Sequence, residues 1–183
     1  QDEIDRKDIR LGDKVLIERS GDVIPKIIKV IERENQNSIK FKIDNLCPSC
    51  GQKTEKQNDE AIIRCNNFYC PSQVLGRIQH YCSKLAMNIE GLGEKIVEQL
   101  IENKLVKNID DLYLIKKNEI SKLDGLGERS AENIIASINN SKETTFSKFV
   151  YALGIRNVGE HTSKLLEKKF KGDMDRFKNA TEI

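Results

Sequence analysis

A pattern of two glycines flanked by aliphatic residues occurs twice after residue 88, and a third copy has asparagine in place of the first glycine. The copies begin at Ile89, Leu123 and Ile155, so that successive copies are offset by 34 and 32 residues. Regular repetition of this kind indicates one supersecondary unit used several times. Aliphatic residues spaced by three or four positions after each copy indicate helices. The sequence therefore predicts a region of repeated helical hairpins.

The first two copies read as an aliphatic residue, any residue, glycine, an aliphatic residue and glycine, and each of the three copies is followed by a predicted helix. The first glycine suits a tight reversal between two helices, because glycine adopts left-handed conformations at little cost. The second lies at the start of the next helix, where backbone N–H groups can bind anions such as nucleic-acid phosphates. We therefore predict DNA-binding residues in all three copies: Gly91, Gly93, Lys95, Gly125, Gly127, Arg129, Asn157 and Gly159.

The third copy departs from the pattern, because Asn157 replaces its first glycine. Asn also visits left-handed conformations, so we expect the same turn there but the weakest phosphate binding of the three. The alternative for any single copy is a plain helical hairpin whose glycine only ends a helix. Three copies in register favour phosphate binding.

Four of the five cysteines predict a metal site. They lie at Cys47, Cys50, Cys65 and Cys70, as C-x2-C, a gap of 14 residues and C-x4-C. This spacing is typical of a structural zinc site, in which four thiolates surround the metal tetrahedrally. The alternative is a pair of disulfides, but an odd cysteine count and long cysteine-free stretches do not resemble a secreted disulfide scaffold. We expect a polar bend at residues 57–60 and a short strand at 61–64 between the two cysteine pairs.

The segment before the first cysteine has the alternating pattern of β-strands. We predict strands at 15–19, 23–31 and 39–43, separated by turns at 20–22 and 35–38. Pro25 cannot donate a backbone hydrogen bond, so the second strand should begin at an edge or a bulge. Three short strands bury too little to form a complete barrel.

A helix is predicted directly after the last zinc ligand. Ser72 can cap it, and its apolar positions recur at intervals of three and four. These positions are Val74, Leu75, Ile78, Tyr81, Cys82 and Leu85. Cys82 lies on this apolar face, and we expect it to be a small core residue rather than a reactive thiol.

The charge balance restricts how DNA could be bound. The chain carries 31 Lys and Arg residues against 29 Asp and Glu residues, and no segment is strongly basic. We therefore expect backbone amides to carry most of the binding, with Lys95 and Arg129 as the best-placed cations. Binding of this kind recognises the DNA backbone and not the base sequence. No apolar stretch is long enough for a membrane span, so we expect a cytoplasmic protein without a membrane partner.

These motifs together resemble the NAD-dependent DNA ligases of bacteria, and the resemblance covers nearly the whole chain. Five segments carry it: residues 8–13, residues 19–25, the four-cysteine cluster, residues 80–93 and residues 152–160. The resemblance implies an α+β chain with three parts. These are a partial antiparallel oligonucleotide-binding (OB) barrel at 1–46, a small four-cysteine zinc finger at 47–70 and an all-α helix-hairpin-helix domain at 71–183.

The resemblance also implies a function. The intact enzyme is expected to seal single-strand nicks in duplex DNA during replication and repair, using NAD and Mg²⁺. This piece is expected to help encircle nicked DNA as a monomer, with structural Zn²⁺ and without binding NAD or Mg²⁺ itself. An adenylation domain is expected before Gln1. A fourth hairpin and a C-terminal interaction domain are expected after Ile183.

A four-residue match to the ligase lysyl-adenylate motif lies at Lys122, Leu123, Asp124 and Gly125. A nucleophilic lysine needs a pocket that holds the nucleotide, and this tetrapeptide instead enters the second hairpin. We therefore expect no catalytic or cofactor-binding residue in this chain and no adenylyl transfer by the chain alone.

Two other functions are compatible with hairpins and a zinc site. One is a stand-alone repair or recombination protein that binds DNA without ligase chemistry, and the other is a zinc-stabilised protein-interaction module. An upstream nucleotidyltransferase domain would distinguish the ligase from the stand-alone repair protein. Retention of duplex DNA would distinguish both of these DNA-binding proteins from the protein-interaction module.

Overall fold

The computed structural model describes residues 1–21, 24–33, 38–56 and 62–181. The chain divides into two compact units, a β unit at Gln1–Asn66 and a helical unit at Asn67–Ile183. Each is described by itself. In the described part of the chain, no helix combines the length and the apolar character needed to cross a membrane.

The β unit begins with a short helix and continues into an antiparallel strand pair. Helix α1 spans Asp2–Arg6, strand β1 spans Lys14–Ser20 and strand β2 spans Ile24–Glu32. The two strands are antiparallel, and the register shifts twice along β1. Pro25 pairs with Arg19 near the start of β2. Both strands confirm the sequence prediction within one or two residues, although Asp22 and Val23 lie outside the described residues.

The predicted third strand at 39–43 is wrong. Lys40 makes only an isolated antiparallel bridge to Arg10. The Gln1 side chain takes the place of a neighbouring strand, because its Nε2 donates to the Phe41 carbonyl at 3.0 Å and its Oε1 accepts from the Ile43 amide at 2.9 Å. A single side chain thus satisfies backbone groups that a strand partner would otherwise pair. Most of the predicted bend at 35–38 lies outside the described residues.

A second strand pair follows the first two cysteines. Strand β3 spans Thr54–Lys56 and strand β4 spans Ile63–Cys65, paired antiparallel with Thr54 opposite Cys65. The predicted short strand before Cys65 is confirmed for Ile63 and Arg64. Ala61 and the predicted bend at 57–60 lie outside the described residues.

The helical unit contains seven α-helices among its described residues. They are α2 at Pro71–Cys82, α3 at Glu94–Glu102, α4 at Lys117–Ile120, α5 at Glu128–Asn140, α6 at Phe146–Ala152, α7 at Glu160–Phe170 and α8 at Met174–Lys178. A short 3-10 helix at Asp110–Tyr113 connects α3 to α4. Helical periodicity therefore predicted the class of this unit correctly.

The start and the end of α2 differ from the prediction. Cys70 and not Ser72 is the N-cap residue, with Pro71 at the first helical position. Proline suits that position because its missing N–H would be unpaired there in any case. The helix ends at Cys82, so Leu85 lies beyond it and is exposed rather than on the apolar face. Val74, Ile78, Tyr81 and Cys82 are buried as predicted.

One hydrophobic core runs through the helical unit and holds the hairpins. It includes Ile78 of α2, Leu100 of α3 and Ile134 of α5, all with almost no exposed surface. Three hydroxyl groups are hydrogen-bonded in series beside this core. The Tyr81 hydroxyl lies 2.8 Å from the Tyr113 hydroxyl, which lies 3.1 Å from Ser141 Oγ. Burial raises the pKa of the Tyr81 phenol well above its usual range, so its hydroxyl stays uncharged. Ile89 and Leu123, the first residues of the first two glycine motifs, belong to this core.

Candidate metal centre and nucleic-acid interface

The first cysteine pair is presented by a tight turn. The Gly51 amide donates to the Cys47 carbonyl at 2.8 Å, and the Cys47 amide donates to the Gln52 carbonyl at 2.8 Å. Gly51 has a φ of +69°, a left-handed conformation in which a side chain is strained. The turn brings the thiols of Cys47 and Cys50 close together.

The second pair comes from a strand end and a helix start. Cys65 ends β4, and Cys70 is the N-cap residue of α2. The Sγ atoms of Cys47, Cys50, Cys65 and Cys70 all lie within 4.8 Å of one another, and Cys47 and Cys70 are buried. The Sγ atoms of Cys50 and Cys65 are 3.6 Å apart.

These distances pass a simple fit test for zinc. A tetrahedral Zn²⁺ with Zn–S bonds of about 2.3 Å needs sulfur atoms about 3.8 Å apart. The four thiols approach that spacing, and soft sulfur donors favour Zn²⁺ over the hard cations Mg²⁺ and Ca²⁺. The fifth cysteine, Cys82, is a buried core residue, and desolvation raises the pKa of its thiol to about 12.

The three glycine motifs form three tight turns with one backbone conformation. Turn 1 is residues 89–92, turn 2 is 123–126 and turn 3 is 155–158. In each, the last amide donates to the first carbonyl, at N···O distances of 3.4, 3.1 and 3.0 Å. The third residue of each turn has a positive φ: +89° for Gly91, +76° for Gly125 and +64° for Asn157. The expectation that Asn157 adopts the left-handed conformation of a glycine is confirmed.

The second glycine of each motif begins a helix. Gly93, Gly127 and Gly159 are the N-cap residues of α3, α5 and α7, with extended backbones that any residue can adopt. A Cβ atom built on any of the three meets no atom within 4 Å. Neither backbone strain nor internal packing therefore requires glycine at these positions.

The predicted cations lie beside these helix starts. Lys95 and Arg129 are exposed and occupy the second position of α3 and α5. Within the described residues neither has an ion-pair partner, so both charges face solvent. The neighbouring Glu128 is instead paired with Lys117 at 2.7 Å, and this hydrogen bond holds the pKa of the Glu128 carboxyl below its usual range.

Turn 3 differs from turns 1 and 2 in its packing. Ile89, Leu92 and Leu123 are buried beneath their turns, whereas Leu126 is half-buried. The equivalent first residue of turn 3, Ile155, is 43% exposed. Arg156 also replaces the acidic residues found at the equivalent places in the other two turns. Turn 3 thus keeps the backbone shape of the motif with a looser and more basic surface.

Two side chains that the sequence did not single out also contact these turns. Ser137 of α5 accepts a hydrogen bond from the Glu90 amide in turn 1, and Gln99 of α3 bonds the backbone of Asp124 in turn 2. The sequence contains no motif that marks Ser137 or Gln99, because each lies far along the chain from the turn residue that it contacts.

Lys122, the lysine of the adenylate-like motif, lies between α4 and α5 with an exposed side chain. The next residue, Leu123, is buried as the first residue of turn 2, and Gly125 supplies its left-handed position. The hairpin accounts for Leu123 and Gly125 of the tetrapeptide.

Comparison with known families matches most of the chain. Residues 1–39 match the NAD-dependent DNA ligase OB-fold domain, and residues 47–71 match the NAD-dependent DNA ligase C4 zinc finger domain. Residues 83–140 match a SAM-like helix-hairpin-helix tandem, and residues 148–183 match a helix-hairpin-helix motif. The zinc-finger match and the sulfur geometry together identify a structural zinc site at the four cysteines.

Curated relatives align with the chain along almost its full length. The chain is 47% identical over 182 residues to a DNA ligase of Geobacter metallireducens and 46% identical over 182 residues to one of Geobacter sulfurreducens. It is 44% identical over 183 residues to a DNA ligase of Methylococcus capsulatus. These alignments cover 99% of the chain but only 27% of each relative. They favour a ligase portion over a stand-alone repair protein.

Proposed function

This chain carries the OB-fold, C4 zinc-finger and helix-hairpin-helix regions of the NAD-dependent DNA ligase family, and we propose that it holds duplex DNA for an enzyme that seals nicks. The whole protein uses NAD and Mg²⁺ for that reaction in the cytoplasm, and neither is bound by this chain. The chain acts as a monomer on nicked duplex.

The open space at Gly93, Gly127 and Gly159 is the observation that carries this proposal. We infer that DNA phosphates approach the helix starts there, where N–H groups lack intrahelical partners and the helix dipole attracts an anion. Gly91, Gly125 and Asn157 shape the turns that present these groups. Lys95 and Arg129 add positive charge beside two of the three sites.

The main test is duplex binding by Gly127→Val and Gly93→Val variants, measured by fluorescence anisotropy on a labelled nicked duplex. A branched side chain in the open space should block the phosphate without disturbing the fold. A hydrogen bond to a charged group contributes about 1.5–3 kcal/mol, so we expect about 10- to 100-fold weaker binding.

Gly76→Ala is a control for these two variants, because Gly76 also has open space around it but lies within α2, beside Ile155 and Val158 of turn 3 and not at a helix start. It should bind like the unaltered chain. Failure of the unaltered chain to bind duplex, or unchanged binding by both valine variants, would contradict the proposal.

The salt dependence sharpens the same test. A binder that relies mainly on backbone amides releases few counterions, and each neutralised phosphate contributes about 0.9 to the slope of log K against log salt. We expect a shallow slope and equal affinity for duplexes of different sequence. Arg129→Gln should reduce the slope by about one phosphate equivalent.

We also propose that the chain alone performs no adenylyl transfer. Incubation with NAD labelled in its adenylate should leave no label on the denatured protein. Covalent label that disappears in Lys122→Ala would place a nucleophile in the second hairpin and overturn this part of the proposal.

A further inference from the structure

We propose that Gln99 and Ser137 are positioning residues that hold turns 1 and 2 at a fixed separation, so that both helix starts engage one duplex together. The inference rests on the proposed function, because it concerns how two phosphate sites are arranged. Neither side chain is a predicted DNA ligand. Each acts through the backbone of a turn.

Ser137 holds turn 1 from the second helix of the other hairpin. Its Oγ accepts a hydrogen bond from the Glu90 amide at 2.7 Å. One helical turn earlier, Ile134 lies so close to Gly91 that a Cβ atom there would be 2.7 Å from its Cγ1. Turn 1 is therefore seated on α5 by a hydrogen bond and by close packing at successive residues.

Gln99 holds turn 2 from the second helix of the first hairpin. Its Oε1 accepts from the Asp124 amide at 2.8 Å, and its Nε2 donates to the Asp124 carbonyl at 3.2 Å. One side-chain amide thus satisfies both backbone groups of the residue that precedes Gly125. Turn 2 is seated on α3 by this pair of bonds.

The two arrangements are reciprocal. Helix α3 begins at the end of the turn 1 motif and holds turn 2, whereas α5 begins at the end of the turn 2 motif and holds turn 1. In both cases the bonded residue is the one before the left-handed glycine. A shift of one hairpin against the other would break bonds at both turns.

Fixed separation has a consequence for binding. When two sites are rigidly linked, the second binding event is intramolecular, and its effective concentration is greatest when the spacing matches the ligand. Preorganisation also reduces the ordering cost of association. The spacing of the helix starts at Gly93 and Gly127 should therefore contribute to DNA affinity although no new DNA contact is made.

The chain should tolerate loss of these bonds. Glu90 and Asp124 are exposed, so water can pair their backbone groups when the side chains are removed. Gln99 and Ser137 are only half-buried, and alanine at either position leaves the core residues in place. Positioning can therefore be tested separately from folding.

The experiment compares the Gln99→Ala, Ser137→Ala and doubly substituted chains on a fluorescein-labelled plain duplex of about two helical turns. We expect each single variant to bind more weakly and the double variant about tenfold more weakly, through loss of effective concentration. Ser137→Thr keeps the hydroxyl and should bind within about twofold of the unaltered chain. Far-ultraviolet circular dichroism at the binding temperature should confirm the same helix content in all variants.

A blocked-site background separates positioning from general weakening. In Gly127→Val only one of the two sites can engage, so adding Gln99→Ala should cost less than about twofold more. An equal loss in both backgrounds would overturn the inference, as would unchanged affinity of the double variant. If the unaltered chain fails to bind duplex at all, the proposed function fails instead, and this result is distinct from the other two.

Discussion

The β unit and the helical unit are stabilised by different means. Among the described residues of the β unit Cys47 is the only buried apolar residue, and large apolar side chains such as Ile24 and Phe41 are exposed. The helical unit contains a continuous core that includes Val97, Leu100 and Leu112, none of which is measurably exposed. Burial of such a side chain contributes about 1.5–3 kcal/mol, so the helical unit has a source of stability that the β unit lacks.

Polar and metal interactions have a correspondingly larger part in the β unit. Arg33 lies within 3.1 Å of carboxylate oxygens of both Asp8 and Asp13, and Arg10 also pairs with Asp8. Lys7 donates to the Ile27 carbonyl in β2. Three of the four zinc ligands also lie in this unit. A unit with little buried apolar surface depends on such ion pairs, hydrogen bonds and metal ligands for its stability.

Loss of zinc should cause the largest difference in stability between the two units. We expect one zinc per chain by metal analysis of reduced protein that has never been chelated, because binding of structural zinc contributes about 10–16 kcal/mol to folding of zinc-finger peptides. Cys65→Ser should abolish stoichiometric zinc and expose the amides of β3 and β4 to fast hydrogen exchange. The helices that contain Leu100 and Ile134 should stay protected.

Cys82→Ser is the matched control, because it exchanges the same sulfur for oxygen in the helical core. It should keep its zinc and lower stability only mildly, by about 1–3 kcal/mol for burial of a hydroxyl. Stoichiometric zinc in Cys65→Ser would contradict the four-cysteine site. Loss of zinc in Cys82→Ser would assign the fifth cysteine a role that the structure does not give it.

Local patterns predicted the residues of these sites well. The spacing of Cys47 and Cys50 indicated the metal turn, and the two-glycine pattern indicated the left-handed positions at Gly91 and Gly125. Asn157 could be assigned because few residue types tolerate a positive φ. Each of these predictions depends on backbone preferences within a few residues.

Contacts between distant segments could not be predicted in the same way. The hydrogen bond from Glu90 to Ser137 joins residues 47 positions apart. The hydrogen bond from the Gln1 side chain to the Phe41 carbonyl, which replaces a strand pairing, joins residues 40 positions apart. Both depend on where tertiary packing places a polar side chain, and neither pair has a spacing that marks it. For the same reason the aliphatic run at 39–43 resembled a strand although its backbone pairs with a glutamine.

Leucine substitutions test the contrast between the units next. Leu100→Ala should cost the helical unit about 2–5 kcal/mol, because it leaves a cavity in a closed core. Leu16 in β1 is 42% exposed, so Leu16→Ala should cost less than about 1 kcal/mol. Urea unfolding, followed by hydrogen exchange within each unit, measures both. An equal loss for the two variants would mean that the β unit buries more apolar surface in solution than its structure indicates.

The smallest expected effect concerns the ion pairs of the β unit. The side chain of Asp13 is only 1% exposed, and its hydrogen bond to Arg33 holds the pKa of its carboxyl below the usual range. Hydrogen bonds to Arg33 and then to Arg10 lower the pKa of Asp8 in the same direction. A carboxyl whose pKa is lowered by folding stabilises the folded state above its unfolded pKa, which is about 3.9 for Asp, and this contribution is lost as the pH falls through the folded pKa.

Carboxyl carbon chemical shifts followed through an acid titration measure these pKa values directly. In Arg33→Leu the pKa of Asp13 should rise, because its strongest hydrogen-bond donor is lost, and that of Asp8 should rise less, because Arg10 remains. The difference in β-unit stability between Arg33→Leu and the unaltered chain should be largest near pH 7 and shrink below about pH 4. Lys14→Leu is the control: it removes the exposed pair with Glu32 from the same sheet and should leave both aspartates unchanged. An unchanged pKa of Asp13 in Arg33→Leu would show that these ion pairs do not stabilise the β unit. Zinc would then be the main source of its stability.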